Sequence, residues 1–363
     1  MQQSVDRVID DAISNKSIVG AEIIASKGGE IVYRRASGYF DREAGIAMPE
    51  NAIYRLASVT KPIVATTALA MADKGLLDLD DRVDRYLPYF QPRLGDGSIA
   101  NIALKHLLNH TAGLSYGYPG DTIITTGMQD TNLDHESNLT RIAQQPLLFA
   151  PGAGWNYSVA IDVLGAVLAA VHGGTLGEAA FTHVTGPLSM SDTGFEVSDP
   201  SRLAPAYADG TPEPVRMADH QTIINDNGDT TIFSSVRVWN PKAFQSGGAG
   251  MVGTGVDILK LLETLRTGGG GIVSASTVAA AMRNQVGKLR FGYLGAVVHD
   301  PVAANTPEAP GTVNWGGVYG HSWLVDPANE LVMVSMSNTA QEGCLGMFPR
   351  NVRNAIYADF LRG

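Results

Sequence analysis

The 363 residues are 44% hydrophobic and 17% charged, a globular composition that excludes a disordered chain. The formal net charge is −10 and no run of Lys or Arg occurs, which argues against nucleic acid as a partner. Cys344 is the only cysteine, so no intrachain disulfide can form, and no apolar stretch approaches the roughly 18 residues of a membrane span.

The length suits two lobes, or one core with a large insertion. The start, Met-Gln-Gln-Ser-Val-Asp, has no basic region followed by an apolar one, so no export signal is read and a cytoplasmic location is expected. Val5, Val8, Ile9 and Ile13 recur at helical spacing. Ala21 to Ser26 and Ile31 to Ala36, joined by Lys27-Gly28-Gly29-Glu30, read as a β-hairpin. A helix is expected from about Val59 to Lys74, stopped by Gly75. From about Asp78 to Asp199 helical stretches alternate with Pro/Gly-rich loops, among them Leu104 to Asn109 and the Ala-rich Ile161 to His172. The polar, Pro-bearing segment from Ser201 to Gly228 reads as a mobile surface loop. Strand-like runs return after about residue 230, with a tight Gly-containing turn inside Val313 to Val325 and an apolar strand at Leu331 to Met336. Phe348 to Leu361 reads as a closing amphipathic helix. The expected architecture is a sheet lobe from residues 1–77 and 230–363, a mainly helical lobe from 78–229, and a site in the cleft between them.

Three segments carry chemistry. In Leu56-Ala57-Ser58-Val59-Thr60-Lys61-Pro62, the proline places a helix start close to Ser58, because its missing N–H costs little in a first turn. Ser58 and Lys61, three apart, then share one helix face, as a nucleophile and its base require. A lysine acts as a base only once it has lost its proton, which desolvation by Ile63, Val64 and Ala65 favours. The alternative for Ser58 is plain N-capping. Tyr157, in Trp155-Asn156-Tyr157-Ser158-Val159, follows a Pro-Gly turn and precedes an Ala-rich helix. A phenol beside a lysine ammonium can take a proton from serine; otherwise Tyr157 is a core tyrosine. The third segment is Asn314-Trp315-Gly316-Gly317-Val318-Tyr319-Gly320-His321, whose glycines admit a ligand or another backbone. A backbone N–H there and that of Ser58 make a candidate oxyanion hole, against the alternative of a bulge with aromatic packing.

In order and spacing these segments resemble the serine penicillin-recognising superfamily: class C β-lactamases, DD-peptidases and family VIII carboxylesterases. Tyr54-Arg55-Leu56-Ala57-Ser58, Leu107-Leu108-Asn109-His110-Thr111-Ala112-Gly113-Leu114 and Ser246-Gly247-Gly248-Ala249-Gly250-Met251 extend the likeness over essentially the whole chain. Val159 stands where the β-lactamases carry Asn after the motif tyrosine, and Trp315-Gly316-Gly317 stands where they carry a cation, a pattern similar to the family VIII esterases. The resemblance implies a β-lactamase/transpeptidase-like α/β fold, an antiparallel sheet flanked by helices with a mostly helical lobe. It implies Ser58 as nucleophile, Lys61 and Tyr157 as the proton-handling pair, and the N–H groups of Ser58 and Val318 as the oxyanion hole. Tyr116, Trp315, Gly316 and Gly317 would bind a small-molecule ester, with no cofactor and no metal.

Rival chemistries fit less well. Gly320-His321-Ser322-Trp323-Leu324 approaches a nucleophile elbow but has Leu324 at the second glycine and sits in a strand-like run. His106 and His110 have the spacing of metal ligands, but Leu107 occupies the place of a catalytic glutamate, and a structural role is expected for both. An acyltransferase, a weak β-lactamase, or a non-catalytic binder acylated once on Ser58 remain open on the same scaffold.

Overall fold

The structure is a computed structural model that describes residues 3–117, 124–224 and 230–361. Its main sheet is antiparallel throughout, with the strand order Ala296–Val297, Val313–Gly317, His321–Asp326, Leu331–Ser337, Gly20–Lys27, Glu30–Asp41, Ile46–Ala47. Strands from both chain ends therefore meet in its centre, where Gly20–Lys27 pairs with Leu331–Ser337. The hairpin read from the sequence turns at Gly28 and Gly29, with φ +62° and +93°. Two successive positive φ values suit the right-handed twist of the flanking strands, and glycine adopts them without steric cost.

The strand period of two divides the side chains between faces. Ile23, Ala25, Leu324 and Met333 pack with Val5, Ile9, Phe348, Val352 and Ile356, so the terminal helices Ser4–Ser14 and Met347–Phe360 cover one face together. Ile24, Val334 and Met336 point the other way, into the main core with Ile258 and Leu261 of helix Gly255–Arg266. That core continues into helix Thr60–Asp73, which is buried from Thr60 to Met71, and into helix Ala160–His172, whose first nine residues are buried. A helix apolar all round belongs inside a protein, and these two meet in the middle of the molecule. Gly173, at φ +76°, ends the second. Among the described residues no single helix is long and apolar enough to cross a membrane.

One expectation is corrected. The segment from Ser201 to Gly228 is not a plain surface loop. Tyr207–Ala208 pairs with Val215–Arg216, and His220–Ile224 pairs with Thr230–Ser234, while 225–229 lie outside the described residues. Tyr207 is buried, receives a hydrogen bond from the Arg42 N–H and donates one to Glu43, while its own N–H reaches Asn338 O. Each strand is short and interrupted by Pro or polar residues, so no period of two could build up in the sequence.

Candidate active site

Strand Tyr54–Arg55 pairs with Val252–Gly253 and delivers the chain into a 3-10 turn, Ala57–Val59, that leads directly into helix Thr60–Asp73. Ala57 holds φ +44°, a left-handed backbone that side-chain-bearing residues seldom adopt. Its surroundings enforce it: Ala57 is fully buried among Ala206, Ala208, Phe233 and Tyr319. The next residue, Ser58, makes no capping bond to the helix. Its Oγ instead accepts a hydrogen bond from Lys61 Nζ at 3.0 Å. Lys61 is 5% exposed, and its Nζ also donates to Gly248 O at 2.7 Å.

Tyr157 is brought to the same point by a stretch pinned at both sides. The Asn156 N–H donates to His110 O at 3.0 Å and its side-chain amide to Leu114 O at 2.9 Å. The Ser158 N–H donates to His110 Nδ1 at 3.3 Å, which leaves the imidazole proton on Nε2. Burial, reinforced by Lys61, holds the His110 imidazole well below the usual histidine range, so this ring is a neutral packing partner. It lies 4.7 Å from the Tyr157 ring, with Tyr116 at 5.5 Å and Trp315 at 5.0 Å, centroid to centroid. Lys61 Nζ sits 4.8 Å from the Tyr157 centroid and 5.7 Å from that of Tyr116. His106 faces elsewhere: its Nδ1 accepts the Ala103 N–H at the start of helix Leu104–Leu108.

The third segment packs directly on the turn that carries Ser58. A Cβ on Gly317 would lie 2.4 Å from Leu56 O, so only glycine lets the strand approach this closely. A Cβ on Gly316 would meet His321 O at 2.6 Å and Cys344 Sγ at 2.8 Å. Desolvation pushes the Cys344 thiol up to about 12, which keeps it protonated, while the half-buried side chain lines the same cavity as Ser58. His321, one turn beyond, is buried, and its Nε2–H donates to Arg55 O at 2.9 Å, tying the sheet to the strand that leads into the Ser58 turn. Ser322 lies within strand His321–Asp326, not at a strand-to-helix turn. Val318 stands at the turn between the two strands, and its N–H has no hydrogen-bond partner among the described residues.

Ser58, Tyr157, Trp315, Gly316 and Val318 line one cavity of about 440 Å³. Its far walls are largely apolar, with Trp323, Leu324, Met333, Leu345 and Pro349, and Glu308 there is paired with Arg353 at 3.1 Å and accepts a hydrogen bond from the Asn314 amide at 2.8 Å. Gly317 and Tyr116 do not line this cavity: the first is packed on the turn that carries Ser58, the second on Tyr157.

Sequence reasoning missed Asp162. It is buried in helix Ala160–His172, accepts Ser246 Oγ at 2.5 Å and the Gly248 N–H at 3.3 Å, and so fixes the loop whose Gly248 carbonyl receives Lys61. Its second oxygen has no partner among the described residues and would sit 2.6 Å from a Cβ on Gly248. Burial raises this carboxyl, against the opposing pull of Ser246 and Lys61. The available signal was an acidic residue inside an otherwise apolar, Ala-rich run.

Residues 5–348 match the profile of the family described as beta-lactamase. The chain is 46% identical over 371 residues to a protein named Esterase EstB from Burkholderia gladioli, covering 98% of this chain and 94% of that one. A protein named Lovastatin esterase from Penicillium rubens is 27% identical over 374 residues, covering 90% of each. A solved structure described as EstCE1, a hydrolase with promiscuous acyltransferase activity, has TM-score 0.94 and 40% identity, covering 98% of this chain and 97% of that chain.

Proposed function

This chain belongs to the beta-lactamase family, and we propose that within it the protein is a serine carboxylesterase hydrolysing short-chain acyl esters through an acyl-enzyme on Ser58. The observation that carries the reading is the 3.0 Å contact of the buried Lys61 Nζ with Ser58 Oγ at the cavity wall, beside the Tyr157 ring. As Ser58 Oγ bonds to the ester carbon, its proton passes to the Tyr157 phenolate, whose negative charge the Lys61 ammonium holds in place. The carbonyl oxygen becomes an oxyanion that takes the N–H groups of Ser58 and Val318. When the tetrahedral intermediate collapses, Tyr157 returns that proton to the departing alkoxide, which leaves as alcohol. Water then loses a proton to Tyr157 as its oxygen attacks the acyl carbon, and the proton goes back to Ser58 Oγ as the acid is released.

The surroundings favour esters over β-lactams. Val159 is buried and apolar at the position where a side-chain amide would hold a lactam's amide. Trp315 offers a neutral ring where a cation would hold a carboxylate. An unmet polar group of the substrate costs far more than a missing methylene, on the order of 10⁴ in selectivity. The kcat/KM on p-nitrophenyl acetate or butyrate is therefore expected to exceed that on nitrocefin by orders of magnitude, and equal values would reverse this assignment. The likeness to a hydrolase described as having promiscuous acyltransferase activity favours a second reading of the deacylation step, in which an alcohol replaces water. The test of the central reading is Ser58→Ala. It should abolish ester turnover with an unchanged circular dichroism spectrum, whereas activity within about tenfold of the parent would remove Ser58 from the mechanism.

A further inference from the structure

Trp315 does more at this site than form a wall. Its indole Nε1–H donates to the Tyr157 hydroxyl oxygen at 3.0 Å. The direction of this bond is unambiguous, because an indole nitrogen can only donate. The geometry is held from outside: the Trp315 ring meets Phe291 edge-on at 5.1 Å and 90°, and its backbone is fixed by strand pairing opposite Trp323.

We infer that Trp315 is the positioning residue for the proton-transfer step: its N–H stabilises the Tyr157 phenolate and turns the phenol's own hydrogen toward the cavity that Ser58 lines. This rests on the serine esterase reading above and extends it. An oxygen that accepts from Trp315 cannot spend its hydrogen on Trp315, so the hydrogen stays available to the leaving alkoxide. The same N–H strengthens when the oxygen becomes an anion, since a hydrogen bond to a charged acceptor is roughly twice as strong as one to a neutral acceptor. A neutral donor does this without adding a cation. Among the described residues, the charged and titratable groups facing Tyr157 from the other packed elements are Lys61, the neutral His110 and Tyr116, with Asp162 behind Lys61 and Glu308, Arg350 and Arg353 along the shared cavity. Lys61 approaches the ring at 4.8 Å, so the donor on the phenolic oxygen is an interaction separate from the cation over the face.

The experiment separates the N–H from the shape of the ring. Trp315 is replaced by β-(3-benzothienyl)alanine, in which sulfur stands for the N–H, and in a second variant by Phe. Hydrolysis of p-nitrophenyl butyrate is followed from pH 5 to 10, roughly spanning both limbs of an acid–base profile. In the benzothienyl variant the acid limb of kcat/KM should move up by about one pH unit. Its kcat near neutral pH should fall by up to about tenfold while KM changes little, and the deficit should close as pH rises past the displaced limb. Trp315→Phe should show the same displaced limb, with an additional loss at all pH values from missing contact area. Trp315→His, which keeps a ring N–H donor, should restore part of the shift. A limb at the parental pH in either variant that retains the parental circular dichroism spectrum overturns the inference, whatever its rate, since a wall residue alters rates without moving the limb. Absence of ester turnover in the parent protein would instead count against the esterase reading itself.

Discussion

At the scale of single residues, the claim that Tyr157 moves a proton differs sharply from the claim that it packs. Tyr157→Phe keeps the ring contacts with His110, Tyr116 and Trp315 and removes only the oxygen. Pure packing predicts little loss; proton transfer predicts a fall in kcat of roughly 10²–10⁴ with a smaller change in KM. Lys61→Ala removes the ammonium beside both Ser58 Oγ and the Tyr157 ring, and should also lower kcat. If the two side chains act as one unit, the double variant should lose less than the product of the single losses. Steady-state rates on p-nitrophenyl butyrate for the four proteins decide this, and fully multiplicative losses would make them independent. Ser58 and Lys61 were readable in the sequence because a helix converts a spacing of three into a shared face. Asp162 was not, because nothing in a linear apolar run shows that its carboxylate will meet the Gly248 N–H, 86 residues away.

At the scale of elements, the site depends on how closely three pieces of backbone approach one another. Strand Val313–Gly317 lies on the turn before Ser58 with no room for a methyl group at Gly317, where a Cβ would fall 2.4 Å from Leu56 O. Gly317→Ala must therefore push the strand, and Val318 with it, away from Ser58. We expect a destabilisation of about 1–3 kcal/mol from overpacking, together with a fall in kcat of roughly tenfold or more as the Val318 N–H leaves the developing oxyanion. Thermal melting and kinetics on the same preparation test this; a folded, fully active Gly317→Ala would show that the close approach is not needed. The glycines announced in the sequence that something comes near. That it is the backbone of Leu56, just before Ser58, depends on sheet register, with Gly317 opposite His321 and Trp315 opposite Trp323, which local spacing does not encode. The same limit explains the misread stretch from Ser201 to Gly228, where pairing partners and not periodicity define the strands.

At the scale of the whole molecule, strands from both chain termini close one sheet, and a long helical excursion returns to it with Tyr157 and Asp162. The hairpin at Gly28-Gly29, the two buried apolar helices and the closing helix were all legible as local patterns. Their assembly around Ser58 is the product of long-range contacts, such as Lys61 to Gly248 and Trp315 to Tyr157. The central claim is that this assembly activates one serine. It is tested most directly by titrating the protein with a fluorophosphonate and mapping the labelled peptide while following hydrolysis of p-nitrophenyl butyrate. One phosphonyl group per chain is expected, carried by Ser58, with hydrolysis lost in proportion to labelling. Label on another residue, or hydrolysis that persists in fully labelled protein, would contradict it.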